Sequence, residues 1–345
     1  MNSKGPHMRT DDWYVAGLDN GGTSNNATLL KADGSFVVDR LVETPSRVHE
    51  GPEIAVGALA DAFDHVLAVT ATPRAAVRAV GLDTPGPASA AGVISSKGST
   101  NFSQQAWRGF DFRTALEKRI GLPVIYNNDG NAAALYAHHS LFGDQAAYRS
   151  SVAAIVGTGL GGGVVQFGRV VHGAAGMAGE LGHVHIPMDG LLAAGQPVPR
   201  CNCGFAADVE SVASLSAIQN NLLPYWLTRF PDHELAAVGD SARAAQLVRG
   251  YAERGDPMAV KIFEQQAMAL GRLFTIASNF SDPDAYFVGG GVVETAPQFR
   301  DWFLGAVRAN TKLRDEQIAL TRFALVPDLD MAGARGAAVA ALESL

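Results

Sequence analysis

The segment RCNCGFAADVES, Arg200 to Ser211, holds both cysteines of the chain, Cys201 and Cys203. Two thiols one residue apart admit three readings: a metal site, a redox pair, or chance. Other residues with chemical potential lie upstream. Asp129 sits in Asn127-Asn128-Asp129-Gly130-Asn131, between an apolar strand-like run and an alanine-rich helical one. There the helix dipole favours an ionised carboxylate. An isolated Asp before a helix ordinarily serves as its N-cap. The alternative is a general base aimed at a hydroxyl, and the residues alone leave the two readings level. Glu180-Leu181-Gly182-His183 adds a carboxylate and an imidazole, and Glu210 follows the cysteines. Glu accepts hydrogen bonds and His can donate, a set suited to sugar hydroxyls.

Glycine-rich turns follow three apolar strand-like runs: Gly21-Gly22-Thr23, Gly157 to Gly163, and Gly289-Gly290-Gly291. Without a Cβ, backbone N–H groups can approach an anion closely. One such turn is ordinarily just a turn; three at strand ends favour phosphate contact. The stretch Gly157-Thr158-Gly159-Leu160-Gly161-Gly162 matches a dinucleotide fingerprint in letters, but β-type residues follow it where a helix is required. The chain has no Gly-Lys dipeptide, so it has no P-loop. The remaining reading is a nucleotide clamp built from β-turns.

These residues need elements to position them. Residues 13–19 read as a strand, and 26–43 as two strands joined by the Ala32-Asp33-Gly34 turn. Helical periodicity runs from Pro52 to Thr70. Residues 77–87 form a strand entering a Pro-Gly-Pro loop. Residues 123–143 form a strand, a polar turn and a helix. From Ser151 the order strand, glycine turn, strand, tight turn, strand repeats that of the N-terminus, a weak sign of duplication. Asp256-Pro257 opens a helix to about Phe280. A strand over 285–293, a helix over 297–310, a strand over 318–326 and a helix over 332–344 follow. The segment 184–230 gives few signals. Mixed strands and helices in this order mean an α/β protein.

Composition excludes several classes. The 345 residues are 47% hydrophobic and 18% charged, a globular composition long enough for two domains. A net charge of −7 offers no basic surplus for a nucleic-acid backbone. No apolar run reaches membrane-spanning length and no signal-peptide pattern opens the chain, so a cytoplasmic protein is expected. Two cysteines cannot make a disulfide framework. Residues 1–8, MNSKGPHM, read as an expression remnant.

Assembled in order, these motifs resemble the ROK family of bacterial sugar kinases and repressors, from about Val15 to the C-terminus. Asp19-Asn20-Gly21-Gly22-Thr23 is similar to its first phosphate motif, and Asn128-Asp129-Gly130-Asn131 to its catalytic segment. Gly157 to Gly163 is similar to the second phosphate motif, and Gly289-Gly290-Gly291 to the adenosine motif. Gly179 to His183, and Cys201 through Glu210, are similar to its sugar and zinc signatures.

The resemblance implies a two-domain actin-like ATPase (ribonuclease H-like) fold with a cleft between the domains. Residues 9–129 plus about 330–345 would form the smaller domain and 130–329 the larger. It implies an ATP-dependent kinase acting on the 6-hydroxyl of a hexose, foremost glucose, with Asp129 as general base. Gly86, Asn101, Asn128, Glu180, His183 and Glu210 would hold the sugar. Asp19, Gly21, Gly22, Thr23, Thr158, Gly159 and the three glycines from Gly289 would hold ATP with Mg2+. Phosphoryl transfer then rests on positioning and charge stabilisation. A homo-oligomer, dimer or tetramer, is implied. Because the first phosphate motif begins at Asp19, a kinase without the DNA-binding module of the family's repressors is the expectation.

Two departures stand out. The family's third zinc cysteine is replaced by Asp208, and Pro187 to Pro199 form a longer loop than usual. Zinc held by His183, Cys201, Cys203 and Asp208 is one expectation, since carboxylate is an acceptable ligand. A loop organised by hydrogen bonds alone is the other. A redox role is disfavoured because the spacing is not C-x-x-C. Ser24 stands where kinases of the family often carry Lys. Alternative substrates are another hexose, an N-acetylhexosamine or a cyclitol. Polyphosphate is an alternative donor, and a sugar sensor without turnover is the non-enzymatic alternative.

Overall fold

The computed structural model describes residues 13–86, 88–96 and 101–345. MNSKGPHM and Pro87 of the Pro-Gly-Pro loop lie outside the described residues. The chain divides into two compact units. One comprises residues 1–136, 172–177 and 328–345; the other comprises 137–171 and 178–327.

The first unit is built on a five-stranded sheet of order β3-β2-β1-β4-β5. Its strands are β1 (Tyr14–Asn20), β2 (Ser24–Lys31), β3 (Glu43–Pro45), β4 (Val77–Thr84) and β5 (Val124–Asn128). β1, β2 and β3 pair antiparallel, while β4 and β5 run parallel to β1. The glycine turn after β1 is closed by Gly21 N–H donating to Ser24 O (2.8 Å). The hairpin after Lys31 forms where the Asp-Gly pair places it, with Gly34 at φ +81°. The second strand expected over 35–43 does not form. Only Phe36 bridges back to Leu30, and pairing resumes at β3. Val38 and Val42, four apart, are the residues this stretch buries, which is not the alternation a strand needs.

Helix α1 (Pro52–Thr70) has the bounds its periodicity predicts. Proline fits the first helical turn because its missing N–H needs no partner there. The helix buries Leu59, Phe63 and Val66 against the sheet. Helix α2 (Phe112–Ile120) is capped by Asp111, which accepts from Thr114 N–H (2.9 Å). Helix α3 (Asp129–Phe142) follows β5 without the polar turn expected between them. Phe102, Trp107 and Phe112 form an aromatic cluster fully enclosed in the core.

The second unit has a sheet of order β10-β9-β6-β7-β8. These are β6 (Ser150–Val156), β7 (Leu160–Gln166), β8 (Arg169–Val170), β9 (Ala285–Gly289) and β10 (Arg322–Leu325). β6, β7 and β8 pair antiparallel; β9 and β10 run parallel to β6. Order and directions match those of the first sheet, so the repeated pattern in the sequence corresponds to a repeated topology. Its helices are the short α4 (Leu215–Ala217), α5 (Leu223–Arg229), α6 (Ser241–Glu253), α7 (Pro257–Ser281), α8 (Pro297–Asn310) and the short α9 (Asp315–Ile318). Asp256 caps α7 by accepting from Ala259 N–H (2.8 Å). The strand expected from 318 begins only at Arg322, because α9 occupies Asp315–Ile318.

The last helix, α10 (Leu329–Glu343), belongs to the first unit and packs across β1, β2, β4 and β5. Glycine permits this contact. A Cβ at Gly81 would lie 1.8 Å from Ala337 O, and one at Gly17 would lie 1.9 Å from Ala334 O.

Candidate active site

In the first unit the chemistry gathers at the carboxyl ends of neighbouring parallel strands, where ligands of open α/β sheets bind. Asp19 is the penultimate residue of β1 and the register partner of Asp83 on β4. Asn128 ends β5 opposite Thr84, which places Asp129 one residue beyond. Asn128, not Asp129, caps α3: its Oδ1 accepts from Asn131 N–H (2.8 Å). The N-cap reading of Asp129 is thereby overturned. Asp129 occupies the first helical turn, exposed, with Oδ1 accepting from Gly130 N–H (2.7 Å).

Asp19 accepts from the Asn26 amide (3.2 Å) and is only partly exposed; burial raises its pKa despite that bond. Asp83 is wholly buried, and burial pushes its pKa well above the usual carboxyl range, with the charges of Asp19 and Asp129 adding to the rise. Asp83 is a residue that the sequence reading missed. Its signal was an acid following the apolar run Ala79 to Leu82, where burial without a partner is costly. The first glycine turn lies against Asn101: a Cβ at Gly22 would meet Asn101 Oδ1 at 2.6 Å. Gly86 follows β4 and is partly buried.

In the second unit, Glu180, His183 and Glu210 come together. Glu210 Oε2 accepts from Leu160 N–H (2.8 Å), at the start of β7 and just past the second glycine turn. That turn, Gly157 to Gly159, is tied to α4 by Leu215 N–H donating to Gly157 O (2.9 Å) and Ser216 N–H to Thr158 O (3.0 Å). The pKa of Glu180 is raised by burial, opposed by His183 and reinforced by Glu210. The third glycine turn follows β9. Gly290 has φ +83°, and a Cβ there would strike Val156 O at 2.4 Å. Arg249 on α6, not anticipated from the sequence, donates to Gly291 O (2.6 Å).

The residues of the expected zinc set also meet. One donor atom from each of His183, Cys201, Cys203 and Asp208 lies within 4.8 Å of all the others. His183 Nδ1 is 3.4 Å from Asp208 Oδ2 and 4.0 Å from Cys201 Sγ; Cys203 Sγ is 3.8 Å from Asp208 Oδ2. Zinc bonds of ordinary length imply tetrahedral ligand–ligand edges of about 3.3–3.8 Å, so the set fits with small adjustments. The backbone builds it: Val209 N–H donates to Val184 O (3.0 Å) and Glu210 N–H to Gly182 O (2.8 Å). Cys201 is buried, its pKa is raised by that burial, and its thiol donates to Glu210 Oε1 (3.1 Å). Both cysteines are free thiols.

The ROK family model matches residues 15–344. The chain belongs to the ROK family. A glucokinase of Halalkalibacterium halodurans is 32% identical over 289 residues, which is 82% of this chain and 81% of that protein. A ROK hexokinase from Thermus thermophilus superposes with a TM-score of 0.73 at 30% identity, covering 96% of this chain and 98% of that one. A ROK glucokinase from Streptomyces griseus, solved with glucose and AMPPNP, superposes at 0.68 with 26% identity, covering 96% and 99%. The two matching sheets are those of the actin-like ATPase fold shared by these ROK kinases. Among the described residues no helix is long and apolar enough to cross a membrane.

Proposed function

We propose that the chain is an ATP-dependent hexose kinase that transfers the γ-phosphoryl group of ATP to the 6-hydroxyl of glucose. One observation carries the chemistry. Asn128 fills the capping role at α3, so the exposed carboxylate of Asp129 is not the helix cap and suits a general base. Asp129 takes the hydroxyl proton as the sugar oxygen bonds to the γ-phosphorus. The bond from that phosphorus to the β–γ bridging oxygen breaks, and ADP leaves.

The proposed sugar ligands are Gly86, Asn101, Asn128, Glu180, His183 and Glu210. His183 can serve both ring nitrogens, since Nδ1 faces the metal set and Nε2 is left for the sugar. Gly21, Gly22, Thr23, Thr158 and Gly159 receive the phosphates; Gly289, Gly290 and Gly291 receive the nucleoside. Asp19, a half-buried oxygen donor, suits Mg2+, which when bound would neutralise charge on the β- and γ-phosphates.

The set His183, Cys201, Cys203 and Asp208 holds a structural Zn2+ that fixes the loop leading into Glu210. We place the enzyme in the cytoplasm, where ATP is available, as a homo-oligomer.

The test is glucose-dependent ADP release with Mg-ATP, run beside Asp129→Asn. The amide keeps the shape and loses the base, so kcat is expected to fall roughly 10²- to 10⁴-fold, the range of general-base contributions. Folded enzyme that binds ATP but does not turn over glucose would move the assignment to another hexose, an N-acetylhexosamine or a cyclitol.

A further inference from the structure

Asp83 lies outside every motif discussed above, yet it is the most constrained carboxyl in the first unit. It is fully buried, and neither oxygen has a hydrogen-bond donor among the described residues. Its strand β4 is buried at seven of eight positions, so water does not reach it from the sides. Its register partner on β1 is Asp19, and register partners on neighbouring parallel strands, about 4.8 Å apart, project to the same face. The two carboxyls are therefore neighbours across the strand pair, and the charges of Asp19 and Asp129 both act on Asp83. Asn26 contributes its amide to Asp19, while its own Oδ1 is also buried without a partner. Gly333 leaves space beside this pair, since a Cβ there would sit 3.0 Å from Asp19 Oδ2.

A fully buried carboxylate beside a half-buried one is a cost that a protein offsets with a cation. An oxygen-only set of two carboxylates matches Mg2+, which is bound through one or two carboxylates and keeps waters or substrate phosphates in its other positions. Cis oxygens of its octahedron are about 2.9 Å apart, a separation that carboxyls on register partners of adjacent strands can span.

We propose that Asp83 is a second protein ligand, with Asp19, for a divalent cation, and that the chain holds this cation before nucleotide arrives. Mg2+ then reaches the phosphates from a protein-held position rather than only as part of Mg-ATP. The inference deepens the kinase reading by naming a residue that handles its cation. Its test contains neither sugar nor nucleotide, so the two can fail separately.

The experiment is Mn2+ binding by electron paramagnetic resonance on the chelator-treated, nucleotide-free protein, comparing wild type with Asp83→Asn. Any Mn2+ taken by the His183 set is common to both proteins and cancels. Wild type is expected to bind one Mn2+ that the variant binds roughly 10–100-fold more weakly, the scale on which metal sites respond even to loss of outer-shell partners. Thermal unfolding gives a second readout. Mg2+ should raise the midpoint of wild type and leave that of the variant unchanged. Equal Mn2+ affinity in the two proteins overturns the proposal and leaves a carboxyl pair sharing one proton. If the variant does not fold, a wild-type midpoint unmoved by Mg2+ overturns it alone.

Discussion

Gly159 couples two functions that the sequence keeps 51 positions apart, and Gly159→Ala should reveal the coupling. The glycine belongs to the second phosphate turn, but a Cβ on it would lie 2.6 Å from Glu210 Oε2. Its φ is not in the left-handed region, so alanine is not excluded by the backbone. The carboxylate is the end of a flexible side chain and can move aside. To restore a contact of roughly 3.5 Å it must retreat by about 1 Å. That retreat stretches its 2.8 Å bond from Leu160 N–H beyond hydrogen-bonding length. A hydrogen bond to a charged group is worth about 1.5–3 kcal/mol, equivalent to a roughly 10- to 150-fold loss in affinity. Steady-state kinetics should show KM for glucose rising by that factor, more than any rise in KM for ATP. In a Glu210→Gln background the same substitution should cost much less, because the two act through one contact. An unchanged glucose KM in folded Gly159→Ala, or full additivity with Glu210→Gln, would refute the reasoning.

Other outcomes are expected from the same geometry. Protein purified without chelator should contain close to one zinc per chain by elemental analysis; Asp208→Ala should lose it and Asp208→Cys should hold it more tightly, whereas metal-free wild type would refute the site. The pKa of Glu180 is raised, so as pH falls it gains a proton and loses acceptor capacity at a pH above its ordinary value of 4.5; glucose KM should rise there. A profile flat down to 4.5 would exclude Glu180 from sugar binding. Gly81→Ala should cost about 3 kcal/mol or more in urea unfolding, because the added Cβ meets the backbone oxygen of Ala337 at 1.8 Å and helix α10 must lift from the sheet. A loss below 1 kcal/mol, on the order of a surface change, would mean that α10 does not pack so closely.

What was legible in the sequence follows a physical division. Helix α1 was readable to the residue because periodicity and a first-turn proline agree. The glycine turns were readable because strands precede them and, at Gly157 to Gly163, another strand follows. The stretch from Phe36 to Val42 misled because its apolar residues suggest a strand, while the core takes only Val38 and Val42 and the backbone bonds are scattered. The family resemblance, not spacing, named His183 together with Cys201, Cys203 and Asp208; the structure brings His183 to the others where Val209 N–H bonds to Val184 O. The Glu210–Leu160 bond and the Asp19–Asp83 pairing were illegible because they depend on tertiary register, which no local pattern encodes. Asp83 sharpens the point. In the run Val-Arg-Ala-Val-Gly-Leu-Asp it looks like the polar end of a strand, but β4 has neighbours on both sides and α10 packed across it. A strand end in that position has no solvent to spend its charge on. An acid found there must be neutralised by a proton or by a cation, and the orphaned oxygens on both sides of its carboxyl favour the cation.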